Sequence, residues 1–146
     1  MKIGISSIFF FLCTFVVSAQ EYVSWEVSYE ADASEIYVAA SIEEGWHLYS
    51  TEKVSEMGPV PTEIVFEETE GMNVQGKLKE PKPKVSYDPN FGETLYYFEE
   101  FVQFSQSVTV NGAESVNGTI TYMVCNDEMC MPPVDYKFTI ELADEN

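Results

Sequence analysis

Val23-Ser24-Trp25-Glu26-Val27-Ser28-Tyr29, followed by Ile36-Tyr37-Val38-Ala39-Ala40-Ser41-Ile42, sets the reading of the fold. Val23, Trp25, Val27 and Tyr29 alternate with polar neighbours, and Ile36, Val38, Ala40 and Ile42 recur on every other residue. Successive side chains of a strand point to opposite faces, so a period of two marks a half-buried strand. Further apolar stretches run from Gly45 to Ser50, Thr62 to Glu67, Thr94 to Phe104, Ser107 to Val110, Val116 to Val124 and Val134 to Leu142. Turn signals stand between and around them: Ala31-Asp32, Glu44-Gly45, Met57-Gly58-Pro59, Glu70-Gly71, Asn111-Gly112 and Asn117-Gly118. No stretch carries the repeat of an amphipathic helix. The pattern predicts an all-β chain, an immunoglobulin-like antiparallel β-sandwich. Tyr96-Tyr97-Phe98 and the run from Phe101 to Phe104 are expected in its core.

One segment breaks the rhythm. Lys79-Glu80-Pro81-Lys82-Pro83-Lys84 is spaced by proline and reads as extended and solvated. It leads into Val85-Ser86-Tyr87-Asp88-Pro89-Asn90-Phe91-Gly92, a loop with an aromatic ring at its tip. Phe91 either anchors that loop on the core or serves as a lid.

The start of the chain reads as an export signal. Met1-Lys2 is positive, Ile3 to Val17 is apolar, and Val17-Ser18-Ala19 offers small residues for cleavage near Ala19-Gln20. The apolar run is too short for a comfortable membrane span. Cys13 is lost with it, and Leu12 before Cys13 argues against a lipid anchor. Residues 20–146 then form a single domain of about 127 residues, enough for one core without metals. All 25 acidic residues fall in this part against six lysines and no arginine, a formal charge of −19. Nucleic acid and anionic membrane surfaces are excluded as partners, since both reward basic patches. The acidity keeps an exported protein soluble, with steering toward a basic partner as the sharper reading.

Cys125 and Cys130 are the cysteines that remain, in Cys125-Asn126-Asp127-Glu128-Met129-Cys130, ahead of Met131-Pro132-Pro133. Two thiols this close in an oxidising compartment form a structural staple or a working redox couple. Exchange needs a thiolate that attacks a partner's disulfide and a second thiol that resolves the mixed disulfide. A staple on so short a loop removes little unfolded-state entropy, on the order of 2 kcal/mol against nearly 5 for a hundred-residue loop. Asp127 and Glu128 disfavour a thiolate beside them, and no lysine is adjacent. His47 is the one histidine, so no Ser-His-Asp or Cys-His machinery is expected, and His47 reads as a strand residue at the edge of the core. A zinc site would draw on Cys125, Cys130, His47 and a carboxylate, and Met123, Met129 and Met131 invite a Cu(I) reading. Apolar filling suits the methionines better, and neither a metal nor another cofactor is expected.

Three stretches carry a resemblance: Gly45-Trp46-His47-Leu48-Tyr49, Tyr87-Asp88-Pro89-Asn90-Phe91-Gly92, and Tyr122-Met123-Val124-Cys125 through Cys130-Met131-Pro132-Pro133. Together they resemble the early Gly-aromatic-x-Leu-Tyr strand, the cap loop and the active-site hairpin of the N-terminal periplasmic domain of the thiol:disulfide interchange protein DsbD. The likeness spans essentially the whole mature chain. It implies an immunoglobulin-like domain in the periplasm that relays electrons by thiol–disulfide exchange, from a membrane thiol donor to thioredoxin-like oxidoreductases. It implies Cys125 and Cys130 as the redox pair and Phe91 as its shield, with Asp88, Asn90, Tyr49 and His47 as neighbours of the site. The family's cysteines are separated by five residues where four intervene here. The chain ends at Asn146 without a membrane domain behind it, so the electrons are expected from a separate protein met by a monomer. The competing reading is a β-sandwich accessory or binding module, not an enzyme, whose disulfide pins a hairpin.

Overall fold

The computed structural model describes residues 22–52 and 55–142. The export signal expected over residues 1–19, its cleavage point and the frayed end expected at 143–146 lie outside the described residues. Eleven strands follow one another and no helix occurs among the described residues: β1 Val23–Glu30, β2 Glu35–Ile42, β3 His47–Tyr49, β4 Glu63–Phe66, β5 Met72–Lys79, β6 Lys84–Asp88, β7 Glu93–Phe98, β8 Phe101–Val110, β9 Ser115–Tyr122, β10 Val124–Cys125 and β11 Val134–Glu141.

The strands pair antiparallel in three sheets, β1-β2-β8-β5, β11-β9-β4 and β10-β3-β7-β6. The expected alternation is what builds the core. Ile36, Val38 and Ala40 of β2 and Val102 and Phe104 of β8 turn inward from the first sheet. Val116, Ile120 and Tyr122 of β9 and Phe138 and Ile140 of β11 turn inward from the second, and Leu48, Phe98 and Val124 from the third. Aromatic contacts tie the layers: Trp25 meets Tyr122 edge-on at 5.3 Å between ring centroids, and Phe98 meets Phe104 at 5.9 Å. The fold is the immunoglobulin-like sandwich that the period of two predicts.

The second and third sheets share a nearly continuous strand. β9 ends at Tyr122, Met123 interrupts the ladder, and β10 continues at Val124 in the other sheet. On the return arm Pro132 and Pro133 separate Met131 from β11. Proline has no N–H to give a ladder, so the ladder between the arms is interrupted there, and β10 pairs with β3 along its other edge.

Several expectations are corrected. β5 and β6 were not expected as strands, because each lies at a sheet edge and buries little, and burial is what makes a strand visible as a pattern. Lys79 closes β5, Lys84 opens β6, and Val85 to Asp88 is strand rather than loop. Glu80 between them is held: its carboxylate accepts from Ser50 Oγ at 2.5 Å, from the Thr51 N–H at 2.9 Å and from Thr51 Oγ1 at 3.0 Å. The stretch from Thr94 to Phe104 divides at Glu99–Glu100, where Glu100 takes a φ of 62° and the chain crosses between sheets.

Asn117-Gly118 is no turn but the middle of β9, paired on both sides. Gly118 lies opposite Phe138 on one neighbour and Phe66 on the other, and these two rings meet edge-on at 5.8 Å. A Cβ on Gly118 would come within 2.3 Å of the Phe138 ring and 2.7 Å of the Val65 carbonyl oxygen. The glycine makes room for a ring and a backbone. Gly118→Ala should therefore destabilise the fold by about 1–3 kcal/mol, the usual cost of overpacking, read as a lower midpoint in urea unfolding. An unchanged midpoint would contradict the close approach.

Candidate functional site

Cys125 and Cys130 are joined, Sγ to Sγ at 2.01 Å with Cα atoms 4.0 Å apart. They face each other as a bridged pair across the tip of the hairpin that connects β10 to β11. The Asn126 N–H donates to the Met129 carbonyl at 2.8 Å on one side, and the Met131 N–H to the Val124 carbonyl at 2.9 Å on the other. Flanked in this way, the cysteines occupy a pair without hydrogen bonds of its own, where antiparallel side chains approach most closely. The turn is closed by Asn126, whose Oδ1 accepts from the N–H groups of Glu128 at 2.9 Å and Met129 at 2.8 Å. Short polar side chains that can satisfy turn backbone are what this position calls for.

The two sulfurs sit in different surroundings. Cys125 is 3% exposed, while Cys130 lies on the exposed side of the hairpin. Register explains the difference. Val124 pairs with Leu48, which pairs with Phe98, and all three enter the main core. Cys125 pairs with His47, and Tyr49 pairs with Tyr97, so the next side chains along each strand lie on the opposite face. Leu95 and Ser86 extend that face onto β7 and β6, with Asp88 at the far end of β6.

This face carries a second, smaller apolar cluster. Tyr49, Leu95 and Cys125 form its buried part, and Phe91, Tyr97 and Met123 pack against them. Phe91 comes from the four-residue turn between β6 and β7. That turn is shaped by Asp88, which accepts from the Asn90 N–H through Oδ1 at 2.7 Å and from the Gly92 N–H through its carbonyl at 2.8 Å. Gly92 stands in the left-handed region at φ 71°, which a glycine adopts without strain. Beside the cluster a cleft of about 290 Å³ opens between the Phe91 turn and the disulfide hairpin, and His47, Tyr49, Asp88, Asn90, Asn126 and Asp127 are among its lining residues.

The charges here are arranged in order. His47 Nε2 contacts Glu99 Oε1 at 3.0 Å, and Lys84 Nζ contacts Glu99 Oε2. The hydrogen bond from Lys84, with His47 adding to it, holds the Glu99 carboxyl below its ordinary value of 4.5. The His47 ring also lies 4.7 Å from the Tyr97 ring. Burial, followed by the charge of Asp88 and the proximity of Tyr97, pushes the Tyr49 phenol from 10.0 up to about 12.

The seven residues named from the sequence therefore lie around one face of the β10-β3-β7-β6 sheet, with Cys130 joined to it through the disulfide. Tyr97, Leu95, Glu99, Asn126 and Met123 join them and were missed as site residues. For Leu95, Tyr97 and Glu99 the signal was strand register, which a motif does not carry, whereas Met123 and Asn126 lie within the cysteine stretch itself. Met123 and Met131 fill apolar space, one against the small cluster and one against the main core. Among the described residues no group of three or more His, Cys, Asp or Glu is placed to hold a metal ion.

The family model for the N-terminal part of the thiol:disulfide interchange protein DsbD matches residues 16–142. Among solved structures, the reduced N-terminal domain of Neisseria meningitidis DsbD is similar at a TM-score of 0.64 and 17% identity, covering 86% of this chain and 90% of that one. The DsbD N-terminal domain solved in complex with the PilB N-terminal domain of the same organism gives 0.62 and 16%, covering 86% and 88%. The N-terminal periplasmic domain of ScsB from Proteus mirabilis gives 0.56 and 19%, covering 82% of this chain and 45% of that one. No curated protein matches by sequence.

The raised phenol has a measurable consequence. A tyrosine whose folded-state pKa is above its unfolded value contributes stability that is complete below about pH 10 and is lost as the pH climbs toward 12. In a tyrosinate absorbance titration, Tyr49 should ionise last, and Tyr49→Phe should remove that final step. Loss of a step near pH 10 instead would contradict the buried placement.

Proposed function

The chain belongs to the DsbD N-terminal domain family, and from that premise we propose that it is a periplasmic electron relay working through the Cys125–Cys130 pair. The observation that carries the reading is the asymmetry of the disulfide: one cysteine on an exposed hairpin edge, the other buried in the small cluster against which Phe91, Tyr97 and Met123 pack. A structural staple has no use for an accessible sulfur, whereas exchange requires one. The short loop argues the same way, since a bond spanning five positions of sequence constrains the unfolded chain little.

The reaction balances in two halves. A donor thiolate attacks Cys130 Sγ, the bond to Cys125 breaks, and the electron pair leaves on Cys125 Sγ. The donor's second thiolate then attacks the donor sulfur of the mixed disulfide and releases Cys130, so the donor is oxidised and the pair reduced by two electrons. In the other half Cys130 thiolate attacks an acceptor disulfide. Cys125 thiolate resolves that mixed disulfide by attacking Cys130 Sγ, and the acceptor departs reduced. In this proposal the donor is a membrane thiol protein and the acceptor a thioredoxin-like oxidoreductase, each met in turn by a monomeric domain exported on its signal peptide.

Phe91 is the lid of this reading. Packed on the Tyr49–Leu95–Cys125 cluster, it limits attack by small thiols, and a docking partner displaces it with its turn. Asp88 and Asn90 shape the turn, and Tyr49 and His47 form the wall beneath.

A relay should have a reduction potential above roughly −250 mV, measured by equilibrating the protein in graded dithiothreitol and trapping free thiols; a value below about −300 mV would mark a structural disulfide. Cys125→Ser should accumulate a mixed disulfide on Cys130, while Cys130→Ser should abolish exchange. Phe91→Ala should speed reduction by dithiothreitol on the order of tenfold, equivalent to loosening the cap by about 1.4 kcal/mol. Unchanged kinetics would remove the lid.

A further inference from the structure

We propose that His47 supplies the positive charge that lets the buried Cys125 become a thiolate, making a Cys125–His47–Glu99 row across the sheet the working unit of resolution. The inference deepens the relay reading and rests on it for its purpose, though not for its test.

The need arises from burial. In both halves of the exchange, whenever Cys130 is tied in a mixed disulfide, Cys125 must carry the electron pair alone. Its surroundings are Tyr49, Leu95, Phe91, Tyr97 and Met123, an apolar and aromatic wall that disfavours a charged sulfur. The adjoining N–H groups of Asn126 and Met131 are committed to the carbonyls of Met129 and Val124 and cannot turn to the sulfur. A cation close by would stabilise the charge most strongly.

Register supplies one. His47 is the cross-strand partner of Cys125, and directly opposed antiparallel residues project to the same face with Cβ atoms about 4.5–5.5 Å apart. On the other side of β3 stands Glu99, just past the end of β7, which contacts His47 Nε2 at 3.0 Å. That contact orients the ring, the role of the third member wherever a sulfur, an imidazole and a carboxylate stand in line. Nε2 is taken by Glu99, the ring lies 4.7 Å from that of Tyr97 between centroids, and His47 lines the cleft with Asn126 and Asp127.

The other charged and titratable groups around His47 fit the assignment. Lys84, from β6, is occupied by Glu99 and does not reach past it as a free cation. Asp88 and Asp127 line the same cleft and are anionic, so they oppose a thiolate. Tyr49 is held neutral by its burial, which pushes its phenol up to about 12. His47 is thus the basic side chain that the register places beside Cys125.

The step itself transfers no further electrons. When the Cys125–Cys130 bond breaks, the electron pair on Cys125 Sγ is compensated by the imidazolium. The His47 proton remains on the ring while the thiolate lasts and passes to sulfur when the dithiol is left at rest.

The test isolates Cys125. In Cys130→Ser protein, the 13Cβ shift of Cys125 followed against pH reports its ionisation. With His47 present the midpoint should lie about one pH unit, a tenfold change in ionisation constant, below that of His47→Gln. His47→Lys, which keeps a cation but not an imidazole, should restore most of the lowering. Coincident curves for the three proteins would overturn the proposal. So would a rise that lysine fails to reverse, since a merely structural histidine would be missed equally in both variants, and the amide spectrum of each reports whether it is folded. Exchange of the wild-type pair with a thioredoxin-fold disulfide is measured separately. Lowered ionisation without exchange would sink the relay and leave the row standing, and exchange with coincident curves would do the reverse.

Discussion

Two backbone pairings, Val124 with Leu48 and Cys125 with His47, hold the site on the fold. They are the whole of the contact by which β10 joins its sheet, and each of their consequences follows from the alternation of a strand. Val124 and Leu48 drop into the main core and fix the pairing in register. Their neighbours are forced to the other side, where Cys125, His47 and Tyr49 meet. A slip of one residue would turn the disulfide into the core and the core valine out to the cleft. The break at Met123 and the two prolines before β11 serve this arrangement, since they release the tip of one hairpin to become the edge of a different sheet.

β3 is short for the same reason that it matters. Three residues, His47 to Tyr49, are covered on both sides, so consecutive Leu48 and Tyr49 are both buried. The strand is a wall between two environments, the main core beneath and the redox face above. Basic side chains find local partners in a chain whose net charge is strongly negative: His47 and Lys84 share Glu99, and on another sheet Lys79 pairs with Glu35. Acidic groups otherwise dominate the surface near the hairpin, with Asp127 and Glu128 exposed beside Cys130.

The sandwich was legible where strands bury one face. β1, β2, β9 and β11 announce themselves by alternation because solvent and core impose opposite demands on neighbouring residues. β5 and β6 were not legible because edge strands with mostly exposed side chains owe their form to the ladder, and backbone hydrogen bonds leave no trace in residue type. Asn117-Gly118 misled because glycine has two uses, and here space for the Phe138 ring outweighs conformational freedom. For the site, short motifs were enough to name Cys125, Cys130, Phe91 and Tyr49, since these lie within recognisable runs. Glu99 and Tyr97 were not recoverable in that way. They reach the site through pairing between strands about fifty residues apart in sequence.

The division of the apolar side chains into two clusters has a thermodynamic meaning of its own. A protein opens in pieces, and each cooperative unit has an opening free energy set by what it buries. The small cluster around Tyr49, Leu95 and Cys125 shares backbone with the large one but not its interior, and the turn carrying Phe91 hangs from β6, a strand with one free edge. By that rule a unit that buries less opens at lower cost than the sandwich denatures. Fluctuation at the sulfur is thereby insulated from global unfolding: the molecule can breathe where it reacts and stay shut where it is held together.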